Sequence, residues 1–280
     1  MTELLIVGGL TIDRFADGRS APGGSVLHAA LAAVEEGVRP ALWTVAGDEP
    51  QARDGLARLA ALGDLVHQAA GSTTTYRHEE EAGRRVLVYE AATDPIDPAL
   101  GRDVRAPEVA LLAPIADELP AGAVAVIRSG LRPRRTVLLI QGWLRRLDIG
   151  APVQPLPLEA VGDDLWAAFG AADAVVLSTE DLAEAAGDPF EQAAALRHWL
   201  GPAPVLVLTL GSEGYLLDDP AADWVVATMP RRVVELVPTI GAGDAFGAAF
   251  AVHLSRGADA ATAASAAAER VIRVLESRRR

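Results

Sequence analysis

The most informative stretch of this 280-residue chain is Pro238-Thr239-Ile240-Gly241-Ala242-Gly243-Asp244-Ala245-Phe246, followed directly by the small-residue run Gly247-Ala248-Ala249-Phe250-Ala251. Two glycines flanking an alanine let backbone N–H groups turn toward one point at a helix start, where the helix dipole favours negative charge. The stretch therefore predicts an anion hole. Asp244 would place a carboxylate beside the bound anion. Because the two charges repel, this carboxylate suits a base acting beside a transferring phosphoryl group better than simple phosphate storage.

Short apolar runs alternate with alanine-rich helical stretches along most of the chain, which is the βαβ pattern of a parallel sheet covered on both faces. The predicted strands are 4–7, 41–45, 109–114, 123–127, 136–140, 174–177 and 205–210. The predicted helices are 25–36, 51–62, 164–171, 180–186, 190–200, 242–255 and 258–277. We expect an α/β fold in a single domain over residues 1–280.

Residues 72–92 break this rhythm. Thr73-Thr74-Thr75-Tyr76-Arg77 and Arg84-Arg85-Val86-Leu87-Val88-Tyr89 are rich in residues that favour strands, and the polar segment 79–83 lies between them. The segment predicts a β-hairpin that stands off the parallel sheet, with its turn at 79–83.

Composition excludes several classes of protein. A hydrophobic content of 50% can fill a large core, and a net charge of −13 disfavours a nucleic-acid partner. No cysteine occurs, so disulfides and thiol catalysis are excluded. The N-terminus lacks the pattern of a signal peptide and no segment is long and apolar enough to span a bilayer, so we expect no membrane partner and a cytoplasmic location.

All 25 basic residues are arginine, and the chain contains neither lysine nor asparagine. A P-loop NTPase is excluded, because its phosphate-binding lysine has no candidate. Phosphate charge would have to be met by arginine, backbone and metal. The five histidines show no paired spacing typical of a transition-metal site, so we expect no tightly bound metal.

The segment Gly241-Ala242-Gly243-Asp244-Ala245-Phe246 resembles the signature of the ribokinase-like (PfkB-type) carbohydrate kinases. Three further segments resemble family motifs in the family's order: Leu5-Ile6-Val7-Gly8-Gly9-Leu10-Thr11-Ile12-Asp13, Pro22-Gly23-Gly24-Ser25-Val26-Leu27-His28-Ala29-Ala30 and Val205-Leu206-Val207-Leu208-Thr209-Leu210-Gly211-Ser212-Glu213-Gly214. The resemblance implies a three-layer α/β/α sandwich with a mostly parallel central sheet. It also implies a kinase that uses ATP and Mg²⁺ and acts on a sugar or polyol.

In the family, a hairpin like 72–92 joins the segment around 13–24 to form a small β-sheet lid over the substrate. A lid serves phosphoryl transfer because it excludes water while the acceptor is positioned. An exposed face of this sheet also suits a homodimer, whereas its apolar residues Val86 and Val88 could instead pack within the chain.

On the acceptor side, the resemblance implies binding by Asp13, Gly23, Gly24 and His28. Asp13 would contact vicinal hydroxyls, although an aspartate after a strand also serves as a turn or cap residue. The glycine pair could be an ordinary loop before a helix. Family members usually carry asparagine where this chain has His28, and an imidazole can donate one hydrogen bond and accept another. The alternative for His28 is a partnered histidine on a helix face.

The middle motif Gln141-Gly142-Trp143-Leu144-Arg145 stands where many sugar kinases carry an Asp-Pro-Asn-x-Arg run. Its Gln-Gly-x-x-Arg form resembles a polyol branch of the family that includes inositol kinases, which favours a cyclitol or similar polyol. Gln141 and Arg145 are therefore expected at the acceptor. The alternative is that Gln141 caps a strand and Arg145 pairs with a surface acid.

On the donor side, the resemblance implies that Thr209, Gly211 and Gly214 line the nucleotide through the family's Thr-x-Gly-x-x-Gly turn. Pro238 stands where the family usually has aspartate, and Ile240 replaces a common threonine. Potassium activation is therefore doubtful, while the anion hole and Asp244 are unaffected.

The segment Ser178-Thr179-Glu180-Asp181 stands where the family places an Asn-x-x-Glu motif that organises magnesium and phosphate through water. Register puts Ser178 at the asparagine and Asp181 at the glutamate, with Glu180 as a competitor. The same residues form a good helix N-terminus, and both roles can hold together. Carboxylates one water away suit Mg²⁺, which keeps much of its hydration shell.

The mechanism implied by the resemblance has Asp244 accept the proton of an acceptor hydroxyl while the backbone N–H groups of Gly241, Ala242 and Gly243 stabilise the phosphoryl group. Three alternative functions compare with this one. A Rossmann dehydrogenase lacks its Gly-x-Gly-x-x-Gly pattern here. A nucleoside kinase of the same family and a ligand-binding relative without turnover both stay open, although a binder gains nothing from Asp244.

Overall fold

The computed structural model describes residues 2–81, 84–183, 187–222, 225–228 and 239–278. The helices are α1 Ser25–Glu35, α2 Pro50–Leu62, α3 Ala121–Leu131, α4 Asp163–Gly170, α5 Pro189–Leu200, α6 Ala242–Ser255 and α7 Ala260–Ser277. The strands are β1 Thr2–Val7, β2 Thr11–Phe15, β3 Ser20–Gly23, β4 Ala41–Ala46, β5 Asp64–Ala69, β6 Thr74–Glu81, β7 Arg84–Ala91, β8 Pro107–Leu112, β9 Arg135–Leu139, β10 Arg145–Arg146, β11 Gln154–Pro155, β12 Ala174–Ser178, β13 Val205–Thr209, β14 Gly214–Asp218 and β15 Val225–Thr228.

A nine-stranded central sheet, counted over the described residues, has the order β15-β14-β13-β12-β9-β8-β1-β4-β5. The pairs from β13 to β5 are all parallel, and β14 and β15 add an antiparallel edge. The predicted mostly parallel sheet is confirmed. Because parallel strands share one direction, the loops after β1, β9, β12 and β13 all emerge at the same edge of the sheet.

Two cores cover the two faces of this sheet. On β1, Leu4 and Ile6 pack into the core shared with α1, α2, α6 and α7, while Leu5 and Val7 pack into the core shared with α3, α4 and α5. The alternation follows from the two-residue period of a strand. All four side chains are fully buried, so the chain forms three layers, helix on sheet on helix.

A second, four-stranded sheet has the order β3-β2-β6-β7. Strands β6 and β7 form the predicted antiparallel hairpin, and β2 and β3 join it as the resemblance implies. The predicted turn at 79–83 is too long, because Glu79, Glu80 and Glu81 pair with β7. Residues 82–83 lie outside the described residues.

The free edge of β7 is covered by the chain itself. The Val153 N–H donates to the Leu87 carbonyl and the Tyr89 N–H donates to the Ala151 carbonyl. Val88 is buried, which agrees with the alternative that it packs within the chain. On the same sheet, Arg14 and Arg77 both form ion pairs with Glu90. The homodimer through this sheet stays a prediction.

Some predicted elements are wrong. Residues 123–127 are part of α3, because Ala123, Val124, Ile127 and Leu131 are buried at the i, i+1, i+4, i+8 spacing of one helix face. Five apolar residues in a row do not distinguish a buried strand from a buried helix. The helix predicted at 180–186 is only a 3-10 turn, Thr179–Asp181, in the described part, and residues 184–186 lie outside it.

Among the described residues, the strands that were not predicted are β5, the two-residue strands β10 and β11, and β14 and β15. β5 lies at the sheet edge with every side chain at least partly exposed, so its sequence lacks an apolar run. β14 and β15 follow a glycine turn, and they pair antiparallel rather than in the repeating βαβ pattern. No helix within the described ranges combines the length and the apolar character needed to cross a membrane.

Candidate active site

The predicted site residues gather at the edge where β1, β9, β12 and β13 end. Open α/β sheets bind ligands in the crevice outside the carboxyl ends of their strands. Short loops lead from these strands to Asp13, Gln141, Asp181 and Gly211, and α6 begins at the same edge. The chain therefore brings segments far apart in sequence to one place.

The turn before α6 contains the two glycines of the predicted anion hole, which itself stays a prediction. Gly241 adopts φ 75°, in the left-handed region, and α6 begins at Ala242 as predicted. The Ala242 N–H donates to the Thr239 carbonyl, so one of the three predicted anion donors is engaged within the turn. Pro238 lies outside the described residues.

The turn packs against helix α1. A Cβ on Gly241 would overlap the imidazole of His28 and lie 2.6 Å from its Nδ1. Glycine is therefore required here twice, by its φ angle and by the ring beside it. The contact places His28, a predicted acceptor residue, directly beside the candidate anion hole.

Asp244 lies in the first turn of α6 and its residue is only 6% exposed. Its Oδ1 accepts a hydrogen bond of 3.1 Å from Gln141 Nε2, which also donates to Ser25 Oγ at 3.1 Å. Gln141 lies on the 3-10 turn Ile140–Leu144 after β9. A Cβ on Gly247 would overlap the Leu139 side chain, so this glycine lets α6 approach β9 closely. The structure thus brings Gln141 to Asp244.

Asp13 is buried on β2, in the small sheet. Its Oδ1 accepts from Thr11 Oγ1 at 3.3 Å and lies 3.3 Å from His78 Nε2 on β6. A Cβ on Gly23 would overlap Asp13 Oδ2, and Gly24 precedes α1 with φ 96°. Asp13 therefore lies against Gly23, and Gly24 follows at the start of α1. The role of these residues toward an acceptor stays a prediction.

Arg145 and Tyr76 of the small sheet meet at one backbone carbonyl. Its Nη1 donates to the Ile115 carbonyl at 3.1 Å, and the Tyr76 hydroxyl donates to the same carbonyl at 2.8 Å. Burial raises the pKa of Tyr76, which keeps the phenol neutral. Arg145 is half-buried, and its positive charge also acts on Asp181.

The two acids after β12 have different surroundings. Asp181 Oδ2 accepts the Ser178 N–H at 2.9 Å, and the Glu180 N–H donates to Ser178 Oγ at 3.3 Å in a capping box. Burial raises the pKa of Asp181; Arg145 opposes this effect, while Glu180 and Asp244 add to it. Glu180 is exposed. Of the two acids, Asp181 is therefore the more buried one and the one on which the charge of Asp244 acts.

The candidate donor side lies at the ends of β12 and β13, where Ser178 and Thr209 are register neighbours. The Thr209 hydroxyl donates to the Leu177 carbonyl at 3.3 Å. Gly211 and Gly214 adopt φ of 60° and 122°, and the Leu210 N–H donates to the Gly214 carbonyl. The predicted glycine turn is present, and Tyr215 after it contacts Phe246 of α6 edge to face.

A metal ion would find few protein ligands here. In the ranges that the structure describes, no three His, Cys, Asp or Glu side chains are close enough together to hold one. The predicted metal residues Glu180 and Asp181 suit a Mg²⁺ that is carried mainly by donor phosphates and water, because Mg²⁺ keeps much of its hydration shell.

Sequence reasoning missed Glu118. This residue is 1% exposed, and its Oε1 accepts the N–H groups of Gly9 and Ile115, each at 2.8 Å. Its Oε2 accepts the Ala116 N–H at 2.8 Å. Burial raises the pKa of Glu118 and the N–H donors oppose this rise. Glu118 fixes the loop after β1, which leads to Asp13, and no motif in its own segment signals that role.

A family model described as pfkB family carbohydrate kinase matches residues 8–274. This chain belongs to the pfkB carbohydrate kinase family. Carbohydrate kinases are phosphotransferases, so the family establishes the class of reaction for this kinase. No curated protein matches the sequence.

Solved structures share the fold of this pfkB family kinase. A pyrophosphate-dependent kinase in the ribokinase family, complexed with a pyrophosphate analog and myo-inositol, matches with a TM-score of 0.75 at 18% identity, over 95% of this chain and 92% of that one. Fructokinase from Vibrio cholerae O395 matches with a TM-score of 0.72 at 21% identity over 99% of both chains. Arabidopsis thaliana ribokinase complexed with ribose and ATP matches with a TM-score of 0.71 at 17% identity over 99% of both chains. The predicted ribokinase-like fold is confirmed.

Proposed function

We propose that this pfkB family kinase transfers the γ-phosphoryl group of ATP to a hydroxyl of a sugar or polyol, including cyclitols. The observation that carries the proposal is the place of Asp244. Its carboxylate is nearly buried in the first turn of α6, directly after the left-handed turn at Gly241. A carboxylate beside an anion-binding turn suits a group that removes a proton while phosphate charge develops.

In the proposed reaction, the acceptor O–H gives its proton to Asp244 as its oxygen bonds to the γ-phosphorus. The bond from that phosphorus to the bridging oxygen breaks, and ADP leaves with the electron pair. The N–H groups of Gly241 and Gly243, with the dipole of α6, stabilise the transferring group. In this structure the Ala242 N–H donates to Thr239, so the third predicted donor must come from a shift of the turn.

The acceptor would lie between the small sheet and α1. Asp13, with the Gly23-Gly24 backbone close beside it, accepts hydrogen bonds from neighbouring hydroxyls, and His28 lies beside Gly241. Arg145 lies at the mouth, where its guanidinium is held against the Ile115 carbonyl. The small sheet then acts as a lid that excludes water from the phosphoryl group.

The donor would lie over the ends of β12 and β13. Ser178, Thr209, Gly211 and Gly214 line that side, and the open backbone at the glycines lets phosphate approach closely. Mg²⁺ would neutralise phosphate charge, with Asp181 and Glu180 reaching it through water. Because one structural neighbour is described as pyrophosphate-dependent, pyrophosphate belongs beside ATP in any test of the donor.

The test measures Mg²⁺-dependent phosphoryl transfer from ATP, and separately from pyrophosphate, to a panel of sugars, cyclitols and nucleosides. We expect turnover with one class of polyol, and a fall in kcat of about 10²–10⁴-fold in Asp244→Asn, the range typical of a lost general base. Asp259→Asn is the matched control, because this residue caps α7 beyond the far end of α6 and asparagine caps equally well.

Three results would each contradict the proposal in a different way. Turnover confined to nucleosides would replace the sugar or polyol with a nucleoside. ATP binding without transfer to any acceptor would favour a binding protein. Full activity in Asp244→Asn would remove Asp244 as the base while leaving the kinase in place.

A further inference from the structure

Both N–H groups of the Gln141 side-chain amide donate hydrogen bonds within the protein. A carboxylate only accepts hydrogen bonds, so the amide must present N–H rather than oxygen to Asp244. One N–H of Nε2 is directed to Asp244 Oδ1 and the other to Ser25 Oγ, both at 3.1 Å. A primary amide has two N–H groups, so Gln141 has none left for a substrate.

The two partners of Gln141 are buried residues in the first turns of two helices. Ser25 is the first residue of α1 and is fully buried, and Asp244 is 6% exposed in the first turn of α6. Gln141 itself follows β9, 103 residues before Asp244 and 116 after Ser25. The amide therefore ties the Asp244 carboxylate to the start of a second helix, which fixes one rotamer of a side chain that would otherwise turn.

We propose that Gln141 is a positioning residue for Asp244, and that the acceptor hydroxyl gives its proton to the second carboxylate oxygen, Oδ2. The inference rests on the proposed function of Asp244. It differs from the sequence prediction, in which Gln141 binds the acceptor. Of the polar atoms of the Gln141 amide, only Oε1 takes no part in these two hydrogen bonds, and it can accept but not donate.

A positioning role and a substrate-binding role predict different kinetics. Removing a positioning contact misplaces the base, and a small misplacement can cost about 10²-fold in rate. We therefore expect Gln141→Leu to lower kcat 10- to 100-fold while KM for the acceptor changes less than about threefold. Gln141→Glu keeps the shape but offers Asp244 no N–H, so it should lose kcat as well. Gln154→Glu, on an exposed position of β11, is the matched control.

A Ser25 variant tests whether Gln141 acts through its hydrogen bond to Ser25. Ser25→Ala removes the anchor of the amide, so we expect a smaller fall in kcat in the same direction. In the Gln141→Leu background, Ser25→Ala should add little, because residues in one hydrogen-bond network are not additive. Independent, multiplicative losses would show that Ser25 does not act through Gln141 and would overturn the inference.

The outcomes separate the inference from the proposed function. Normal kcat with a raised acceptor KM in both Gln141 variants would overturn the positioning role and leave the kinase and its base standing. A crystal structure with acceptor bound should show Gln141 Nε2 still on Oδ1 and the reacting hydroxyl on Oδ2; an amide that has left Asp244 for the acceptor would overturn it. Absence of turnover in the unmodified protein with every donor and acceptor would instead refute the proposed function, and the inference with it.

Discussion

The imidazole of His28 and the backbone of Gly241 are in direct contact, so that a Cβ on Gly241 would overlap the ring. The contact joins the first turn of α1 to the turn before α6. Only glycine, whose side chain is a single hydrogen atom, fits at residue 241. The backbone there also has φ 75°, which favours glycine. The candidate anion hole thus depends on a residue 213 positions earlier in the chain.

Gly241→Ala should impair both folding and activity. A non-glycine residue in the left-handed region costs roughly 1–2 kcal/mol, and here the ring of His28 must also move. We expect the free energy of unfolding to fall by about 1–3 kcal/mol and kcat to fall by about 100-fold. Denaturant unfolding and steady-state kinetics measure the two effects.

Gly257→Ala is the matched control for Gly241→Ala. Gly257 has φ 88° with no heavy atom within 4 Å of the position of a Cβ, and it lies beyond the far end of α6. It carries the same backbone strain without the clash, so it should lose stability but keep kcat. Equal kinetic losses in the two variants would contradict a local role for the Gly241 turn.

Asp181 and Glu180 should differ in their effect on Mg²⁺. Asp181 is close enough to Arg145 and Asp244 for both charges to act on it, whereas Glu180 is exposed. Asp181→Asn keeps an oxygen for the Ser178 N–H but removes the charge. We expect it to raise the Mg²⁺ concentration for half-maximal rate about tenfold, the effect of about 1.4 kcal/mol. Glu180→Gln should change it less than twofold, and the reverse pattern would assign the role to Glu180.

Glu118→Gln should destabilise the protein. Glu118 accepts hydrogen bonds from three backbone N–H groups. The glutamine amide has only one oxygen, and its NH₂ group would face an N–H donor. A buried donor left without a partner costs about 1–3 kcal/mol. We expect a loss of roughly 2 kcal/mol in the free energy of unfolding and a Tm lower by about 4–8 °C. Glu159→Gln, at an exposed position, should stay within about 0.5 kcal/mol; an equal loss there would contradict the argument.

Acid stability should depend on Arg270 and Glu36. Burial alone would raise the pKa of Glu36, but the hydrogen bond and charge of Arg270, with His253 and Arg273, lower it below 4.5. A lowered pKa in the folded state means stability that is present above pH 4.5 and lost as pH falls through the folded value. Arg270→Met should lower the free energy of unfolding at neutral pH by about 3 kcal/mol, because it leaves the largely buried Glu36 carboxylate without its main partner.

The measurement for Arg270→Met is denaturant unfolding from pH 7 to pH 3. The stability of the variant should fall less steeply below pH 4.5 than that of the unmodified protein, since less of it depends on ionised Glu36. Arg58→Met, which removes an exposed helix pair with Asp54, should leave the slope unchanged. Parallel pH profiles for all three proteins would show that the Arg270 cluster does not govern acid unfolding.

Local patterns were enough to predict most of the fold. The start of α6 was predicted to the residue, because Gly241 and the small residues after it specify a turn and a closely packed helix within a few positions. The hairpin of β6 and β7 was found from its β-branched and aromatic residues. Residues 123–127 were predicted wrongly because a five-residue apolar run lacks a period long enough to separate a strand from a helix.

The sequence by itself determined the alternating α/β pattern, the glycine turns and the position of Asp244, since each depends on residues that are close along the chain. Only the tertiary structure decided which side chains meet. Gln141 reaches Asp244 across 103 residues, and Glu118 reaches the Gly9 N–H across 109. The physical reason is that these hydrogen bonds join loops and a helix start at one edge of a parallel sheet. The strand order that brings these segments together is fixed by packing rather than by any local motif.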